Sequence, residues 1–291
     1  MVKPKIFRCI AFHYKEDRLP NLQKIIEASY SDDYELHTVI TTNAINESDL
    51  ERVVNEVRIN GNAHSKIEIT SFPNLPNPWL LTWTHKQLML IAFRSRRFSH
   101  YIYTEDDIRL SEDNILNWIA LKTTLDLTDK NGCFPSFARV EYCKKSNGWK
   151  YTDQLRPISA RETPHIEARF HSQRVKLYQL PNPYQAMYIY DDELMGEYVS
   201  APTFQIDNCK SLKNIDNKSW GGGGVAEDSA LGLTYIKPKY PFLTRNLLPV
   251  DSYTCIPLPG FLIHHLTNNY AENHTSQGFA TIGIDNLIFF D

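Results

Sequence analysis

The side chains best equipped for chemistry in this sequence fall in four places. Glu105-Asp106-Asp107 directly follows the β-prone run His100-Tyr101-Ile102-Tyr103-Thr104. A buried strand that ends in adjacent carboxylates delivers negative charge to the carboxyl edge of a sheet, where open α/β sheets bind ligands. Carboxylates crowded together repel one another unless a cation neutralises them. Mg2+ and Mn2+ are the fitting ions, because they take oxygen ligands and bridge carboxylates to phosphates. Asp107 is the candidate direct metal ligand, with Glu105 and Asp106 reaching ribose hydroxyls or the outer coordination shell. The competing reading is a strand-end turn whose acids cap the next helix.

The second place is Phe261-Leu262-Ile263-His264-His265, a short strand ending in paired imidazoles. Neighbouring strand residues point to opposite faces, so one of His264 and His265 is expected to face a site, where an imidazole beside carboxylates suits Mn2+ better than Ca2+. The third is Trp220-Gly221-Gly222-Gly223-Gly224 followed by Glu227-Asp228. Glycines let the backbone approach a ligand closely, while the missing Lys-Ser/Thr excludes a P-loop. Glu227 and Asp228 then serve either the helix dipole or as carboxylates held ready to accept a proton. The fourth is a helix expected from about Thr84 to Arg97, whose first turn brings backbone N–H groups and Lys86 toward a diphosphate or sugar.

Positioning these groups requires an alternation of strands and helices, and the first hundred residues supply it. Ile6 to Phe12, Leu36 to Ile40 and Ile67 to Phe72 are β-prone. Between them lie a helix opened by Pro20 with Leu22, Ile25, Ile26 and Tyr30 as its stripe, and one capped by Ser48-Asp49 with Leu50, Val53, Val54 and Val57. The strand of the acids follows the third helix. This order predicts an α/β fold, a mainly parallel mixed sheet flanked by helices. Beyond Asp107 the rhythm becomes irregular. Ser111 caps a helix with Ile115, Trp118, Ile119 and Leu121, and strands are expected at Phe134 to Tyr142, Lys150 to Asp153, Val175 to Leu180 and Gln185 to Tyr190. The expectation is one domain over 1–291, with a nucleotide-type half at 1–108 and a more variable half at 109–291. Tyr184 is an aromatic face in the latter that suits a sugar ring.

Composition narrows the function classes. A net charge of −3 over 291 residues carries no basic field for nucleic acid. The five cysteines form no Cys-x-x-Cys pair, which removes zinc-knuckle and redox motifs. An odd thiol count and the absence of an apolar leader or membrane-length run lead to the expectation of a cytoplasmic protein with no transmembrane segment, peripheral membrane association aside.

Taken in order, these motifs resemble the GT-A glycosyltransferases, metal-dependent enzymes that use sugar nucleotides. Glu105-Asp106-Asp107 is similar to their DxD motif in its Glu-Asp-Asp spelling, without a strict Asp-x-Asp. Ala226-Glu227-Asp228 is similar to the xED motif of inverting members, and His264 or His265 to their late metal-binding histidine. The resemblance implies that Phe12, His13 and Tyr14, with Thr41, Thr42 and Asn43, hold the nucleotide base and ribose. Lys86, Glu105, Asp106, Gly223 and Gly224 then complete the donor site. It implies that 1–108 is the nucleotide-sugar-binding half and 109–291 the acceptor-binding, catalytic half, with Mn2+ or Mg2+ as cofactor, a UDP-sugar donor, a glycan or glycoconjugate acceptor, and Asp228 as the base, with Glu227 beside it. The rival expectations are a metal-dependent hydrolase using His264, His265 and His274, and a non-catalytic sugar-nucleotide or glycan-binding module.

Overall fold

The computed structural model describes residues 3–58, 65–128, 130, 132–209, 211, 223–273, 275 and 278–290. The chain forms two compact units, Met1–Ile108 with Ala186–Leu233, and Arg109–Gln185 with Thr234–Asp291. The second half of the sequence therefore contributes to both.

The first pass through the first unit is β1 (Lys5–Phe12), α1 (Leu19–Ala28), β2 (Glu35–Thr42), α2 (Glu47–Arg58), β3 (Ser65–Ser71), α3 (Leu81–Arg94) and β4 (His100–Glu105). This is the alternation expected from the apolar periodicity, with shifts at three helix starts. Pro20 occupies the second position of α1, where its missing N–H costs nothing. In α2 the cap is Asn46, whose Oδ1 accepts from Asp49 N at 2.8 Å, in place of the expected Ser48-Asp49. Helix α3 begins at Leu81, because Asn77 caps a 3₁₀ turn at Pro78–Leu80 that leads straight into it.

From β5 (Ile108–Arg109) the chain builds α4 (Glu112–Asp126), β6 (Phe134–Pro135), β7 (Ala138–Cys143), β8 (Gly148–Tyr151), β9 (Ile158–Ser159), β10 (His165–Phe170) and β11 (Gln173–Gln179). It returns to the first unit for β12 (Met187–Asp191), α5 (Asp192–Ser200) and α6 (Gly223–Leu231). It ends in the second unit with β13 (Asn246–Asp251), β14 (Leu262–His265), α7 (Asn269–Asn273) and β15 (Ile288–Phe289).

The sheet of the first unit has five strands in the order β12-β4-β1-β2-β3. Strands β4, β1, β2 and β3 run parallel, while β12 pairs antiparallel with β4, Met187 opposite Thr104 and Asp191 opposite His100. Ile6, Cys9, Ile10, Phe12, Ile40, Tyr101, Ile102 and Tyr103 are fully or almost fully buried, as strands covered by helices on both faces require. The protein is thus mixed α/β with a mainly parallel first sheet.

The second unit is built from smaller sheets. One has the order β10-β11-β13-β6, and β7 lies between β14 and β8. The stretch Phe134 to Tyr142, expected to be one strand, is two. Pro135 cannot extend a ladder, and across Ser136-Phe137 the chain leaves β13 and joins β14. Helix α4 starts as the sequence indicates: Ser111 Oγ accepts from Asn114 N at 3.2 Å while Asn114 Oδ1 accepts from Ser111 N at 2.9 Å.

Candidate functional site

The first sheet creates a crevice by its winding. From β1 the chain steps through α1 and α2 to β2 and β3, then crosses back through α3 to place β4 on the far side of β1. Right-handed crossovers in opposite directions put α1 and α2 on one face and α3 on the other. The loops after β1 and β4 both leave at the carboxyl edge, and the carboxyl ends of these adjacent strands border the switch point where such sheets take ligands. The residues at that border are Phe12-His13-Tyr14 and Glu105-Asp106-Asp107.

These two loops are bonded to each other. Asp106 is buried, and its Oδ2 accepts from His13 N at 2.9 Å. Arg18, just before α1, reaches both Asp106 oxygens with Nη1 at 2.8 and 3.0 Å. Burial, then the neighbouring charge of Asp107, pushes the Asp106 carboxyl up to about 7 against the opposing pull of Arg18. Asp106 thus turns inward to clamp β1 against β4, instead of reaching for ribose or an outer metal shell. Arg18 is the residue of this crevice that the sequence reading missed. An arginine four residues past a candidate loop has no motif, and only the fold brings it under the acids.

The rim continues across β2. Asn43 Oδ1 accepts from Tyr14 N at 2.7 Å, Thr42 Oγ1 from Ala44 N at 3.3 Å, and Thr41 Oγ1 donates to Ile10 O at 3.4 Å. Phe12, Thr41 and Thr42 are buried, so their side chains shape the rim from beneath, whereas His13, Tyr14 and Asn43 are partly open. Burial, then the nearby charge of Arg18, lowers the His13 imidazole below its ordinary value.

On the opposite face, α3 is the hub. His85 stacks on Tyr103 with ring centroids 3.9 Å apart, and its Nε2 meets Tyr188 Oη at 2.8 Å. Strand alternation puts Glu105, two residues beyond Tyr103, on this same side and further toward the carboxyl edge. Helix α6 docks here too. Trp83 Nε1 donates to Val225 O at 2.9 Å, and Ser229 Oγ to Thr82 O at 2.7 Å. Asp228 is partly buried, and its Oδ2 accepts from Ser211 N at 3.0 Å and from Cys209 Sγ at 3.4 Å. The face of α3 that meets β4 thus also holds the helix carrying Glu227 and Asp228.

Lys86 is placed differently from the expectation. Its Nζ donates to Thr203 O at 2.8 Å and lies 3.4 Å from the centroid of Trp83, with only 4 % of the residue exposed. Burial holds the ammonium well below its ordinary pKa, with the charges of Cys209 and Asp228 opposing. Lys86 lies in the second turn of α3, on the side that packs against Trp83, Tyr198 and Phe204. Gly223 and Gly224 also depart from the expected loop, since both belong to α6. A Cβ on Gly224 would meet the Ser211 side chain at 2.7 Å, so the position is one of close packing. Trp220, Gly221 and Gly222 lie outside the described residues, as does His274.

His264 and His265 belong to the second unit. They point to opposite sides of β14, as alternation requires. His265 is buried with its Nδ1 bonded to Glu141 Oε1, and Glu141 Oε2 accepts from Ala271 N at 2.6 Å. His264 is partly open, packs edge-on against Trp149 at 4.9 Å and meets Asn268 Oδ1 through Nε2 at 3.3 Å. Burial, then the positive charge of Arg109, lowers its imidazole, with the Asn268 bond opposing. Tyr184 supports the buried Arg139, whose guanidinium lies 4.7 Å from its ring centroid.

Among the described residues no three His, Cys, Asp or Glu side chains cluster as a metal site. The donor set at Glu105-Asp106-Asp107, with Asp106 committed to Arg18, does not suit an ion enclosed by protein alone. An ion that keeps most of its water shell would need only Asp107 and Glu105 from the protein. Among the described residues no helix is long and apolar enough to cross a membrane. No protein-family model matches the chain, and no curated protein matches it.

Proposed function

We propose that this protein is a glycosyltransferase of the GT-A type. It moves a sugar from a nucleoside diphosphate, a uridine nucleotide by resemblance, to a hydroxyl of a glycan or glycoconjugate acceptor. The observation that carries the reading is the convergence of His13 N–H and Arg18 on Asp106 in the crevice between β1 and β4. That crevice joins a fixed guanidinium and the partly buried carboxylates of Glu105 and Asp107 at a topological switch point, and α3 of the same unit packs against α6, which carries a further acid.

In this reading the Arg18 nitrogens that Asp106 leaves unused meet the diphosphate, for which a planar guanidinium is well shaped. His13, Tyr14 and Asn43 offer partly open polar edges for base and ribose. Asp107, with Glu105 beside it, is the residue that would hold Mn2+ or Mg2+. The ion supplies neutralisation of charge on the departing diphosphate when bound. Asp228 takes the proton of the acceptor hydroxyl as its oxygen bonds to the anomeric carbon. The bond to the diphosphate breaks on the opposite side, its electron pair leaves with the nucleotide, and the configuration inverts. General-base assistance of this kind contributes about 10²–10⁴-fold.

The test is a thermal-shift screen of UDP- and GDP-sugars with and without Mn2+, followed by nucleotide-release assays with an acceptor panel. Ligand at a hundred times its Kd adds about 2.7 kcal/mol of stability to the form that binds it. Asp107→Ala should lose the metal-dependent part of that shift. Asp228→Asn should keep the shift and lose transfer. Absence of any nucleotide-dependent shift overturns the proposal. A shift with nucleotide released freely without acceptor marks a hydrolase, and a shift with no turnover marks a binding module.

A further inference from the structure

The second unit contains a polar cleft of about 500 Å3 that none of the preceding chemistry uses. Its walls are the end of β5, the first turns of α4 and the segment entering β14, and its polar side chains are Arg109, Ser111, Asp113, Asn114, Asn117 and His264. The volume falls within the range of small-molecule sites.

The cleft is built on a fixed frame. Asn114 is almost fully buried, and its Nδ2 donates to Gly260 O at 2.8 Å and Leu262 O at 3.1 Å. Its Oδ1 accepts from both the backbone and the hydroxyl of Ser111, so one amide ties the start of α4 to the opposite wall. Gly260 packs directly against the Asn117 amide, so close that a Cβ there would overlap it. His264 is held from behind by Trp149.

What remains presented to the cleft is a mixture of donors and acceptors: the Arg109 guanidinium, the Asn117 amide, the Asp113 carboxylate and the His264 ring. Arg109 and Asp113 oppose each other in sign, and Glu112 adds a second acid to the first turn of α4. An anion in the cleft would face the Asp113 carboxylate, and a cation would face the Arg109 guanidinium. An apolar ligand would strand every one of these polar groups. A polyhydroxyl ligand satisfies them, because each hydroxyl both donates and accepts.

We propose that this cleft of the second unit binds an uncharged saccharide residue of a glycan through Arg109, Asp113, Asn117 and His264. The assignment stands on the cleft alone. Where the glycosyl-transfer reading also holds, the bound saccharide belongs to the acceptor glycan.

The experiment is saturation-transfer NMR and calorimetry on the full chain, without nucleotide or metal. The probes are neutral di- and trisaccharides of glucose, galactose and N-acetylglucosamine, set against glucuronate and glucose 6-phosphate. At least one neutral probe is expected to bind. Asn117→Ala and Arg109→Ala should each weaken that binding about tenfold, as loss of a hydrogen bond to a buried ligand group does. Thermal unfolding of both variants verifies that they are folded, and Trp149 fluorescence gives a second readout through its contact with His264. Preference for the charged probes, neutral binding indifferent to both substitutions, or no binding of any neutral probe each overturns the proposal. None of these results touches the nucleotide screen of the first unit, so the two readings fail separately.

Discussion

Replacing Arg18 by methionine isolates what the guanidinium does for Asp106. In the native protein the Asp106 side chain is 5 % exposed, the Arg18 side chain 31 %, and burial pushes the Asp106 carboxyl up to about 7 from its ordinary value of 3.8. Its folded pKa is above its unfolded one, so folding takes up a proton between these values. The contribution of this group to stability is greatest below pH 4, falls as pH rises toward 7, and is level beyond. Without Arg18 the opposing pull is gone and the folded pKa climbs further. The fall then continues past pH 7 at about 1.4 kcal/mol per pH unit. The variant should therefore lose as much as about 2 kcal/mol relative to the native protein at pH 8.5 from this source, and almost none at pH 5. Urea unfolding at the two pH values measures the difference directly. Adding Asp106→Asn to the variant should abolish the pH dependence. An equal loss at both pH values, or a larger one at pH 5, refutes the clamp between β1 and β4 as described.

Two further perturbations follow from buried contacts. Arg139 and Asp153 form a buried pair in the second unit, with Nε to Oδ2 at 2.7 Å and side chains 4 % and 7 % exposed. Arg139→Met strands the carboxylate and should cost about 3–5 kcal/mol in chemical unfolding, with part recovered when Asp153→Leu is added. Gly232 follows α6 with φ of +49°, and a Cβ there would overlap the Tyr190 hydroxyl that accepts from Leu233 N. Gly232→Ala should cost about 1–3 kcal/mol through overpacking, with the strain of a left-handed residue added. A melting temperature unchanged from the native one would contradict that packing.

The sequence determined on its own that the first hundred residues alternate strands and helices, and that three acids end the fourth strand. Both follow from local rules. Apolar spacing sets whether a segment is helix or strand, and an acidic run at the end of a buried strand has to emerge at the sheet's edge. The Ser111 cap and the opposed faces of His264 and His265 were legible for the same reason, since each needs only a few consecutive residues.

Partners were not legible, because they are set by crossovers that no local pattern encodes. That Asp106 is spent on Arg18 and His13 depends on β4 landing beside β1. That Lys86 is sealed against Trp83 and bonded to Thr203 depends on α3 packing against a segment 117 positions further along the chain. The cleft between α4 and the entry to β14 joins residues more than 140 positions apart. A chain's periodicity fixes which face of each element is apolar, but charge, hydrogen bonding and cavity shape arise where elements meet, and that meeting is decided by the tertiary fold.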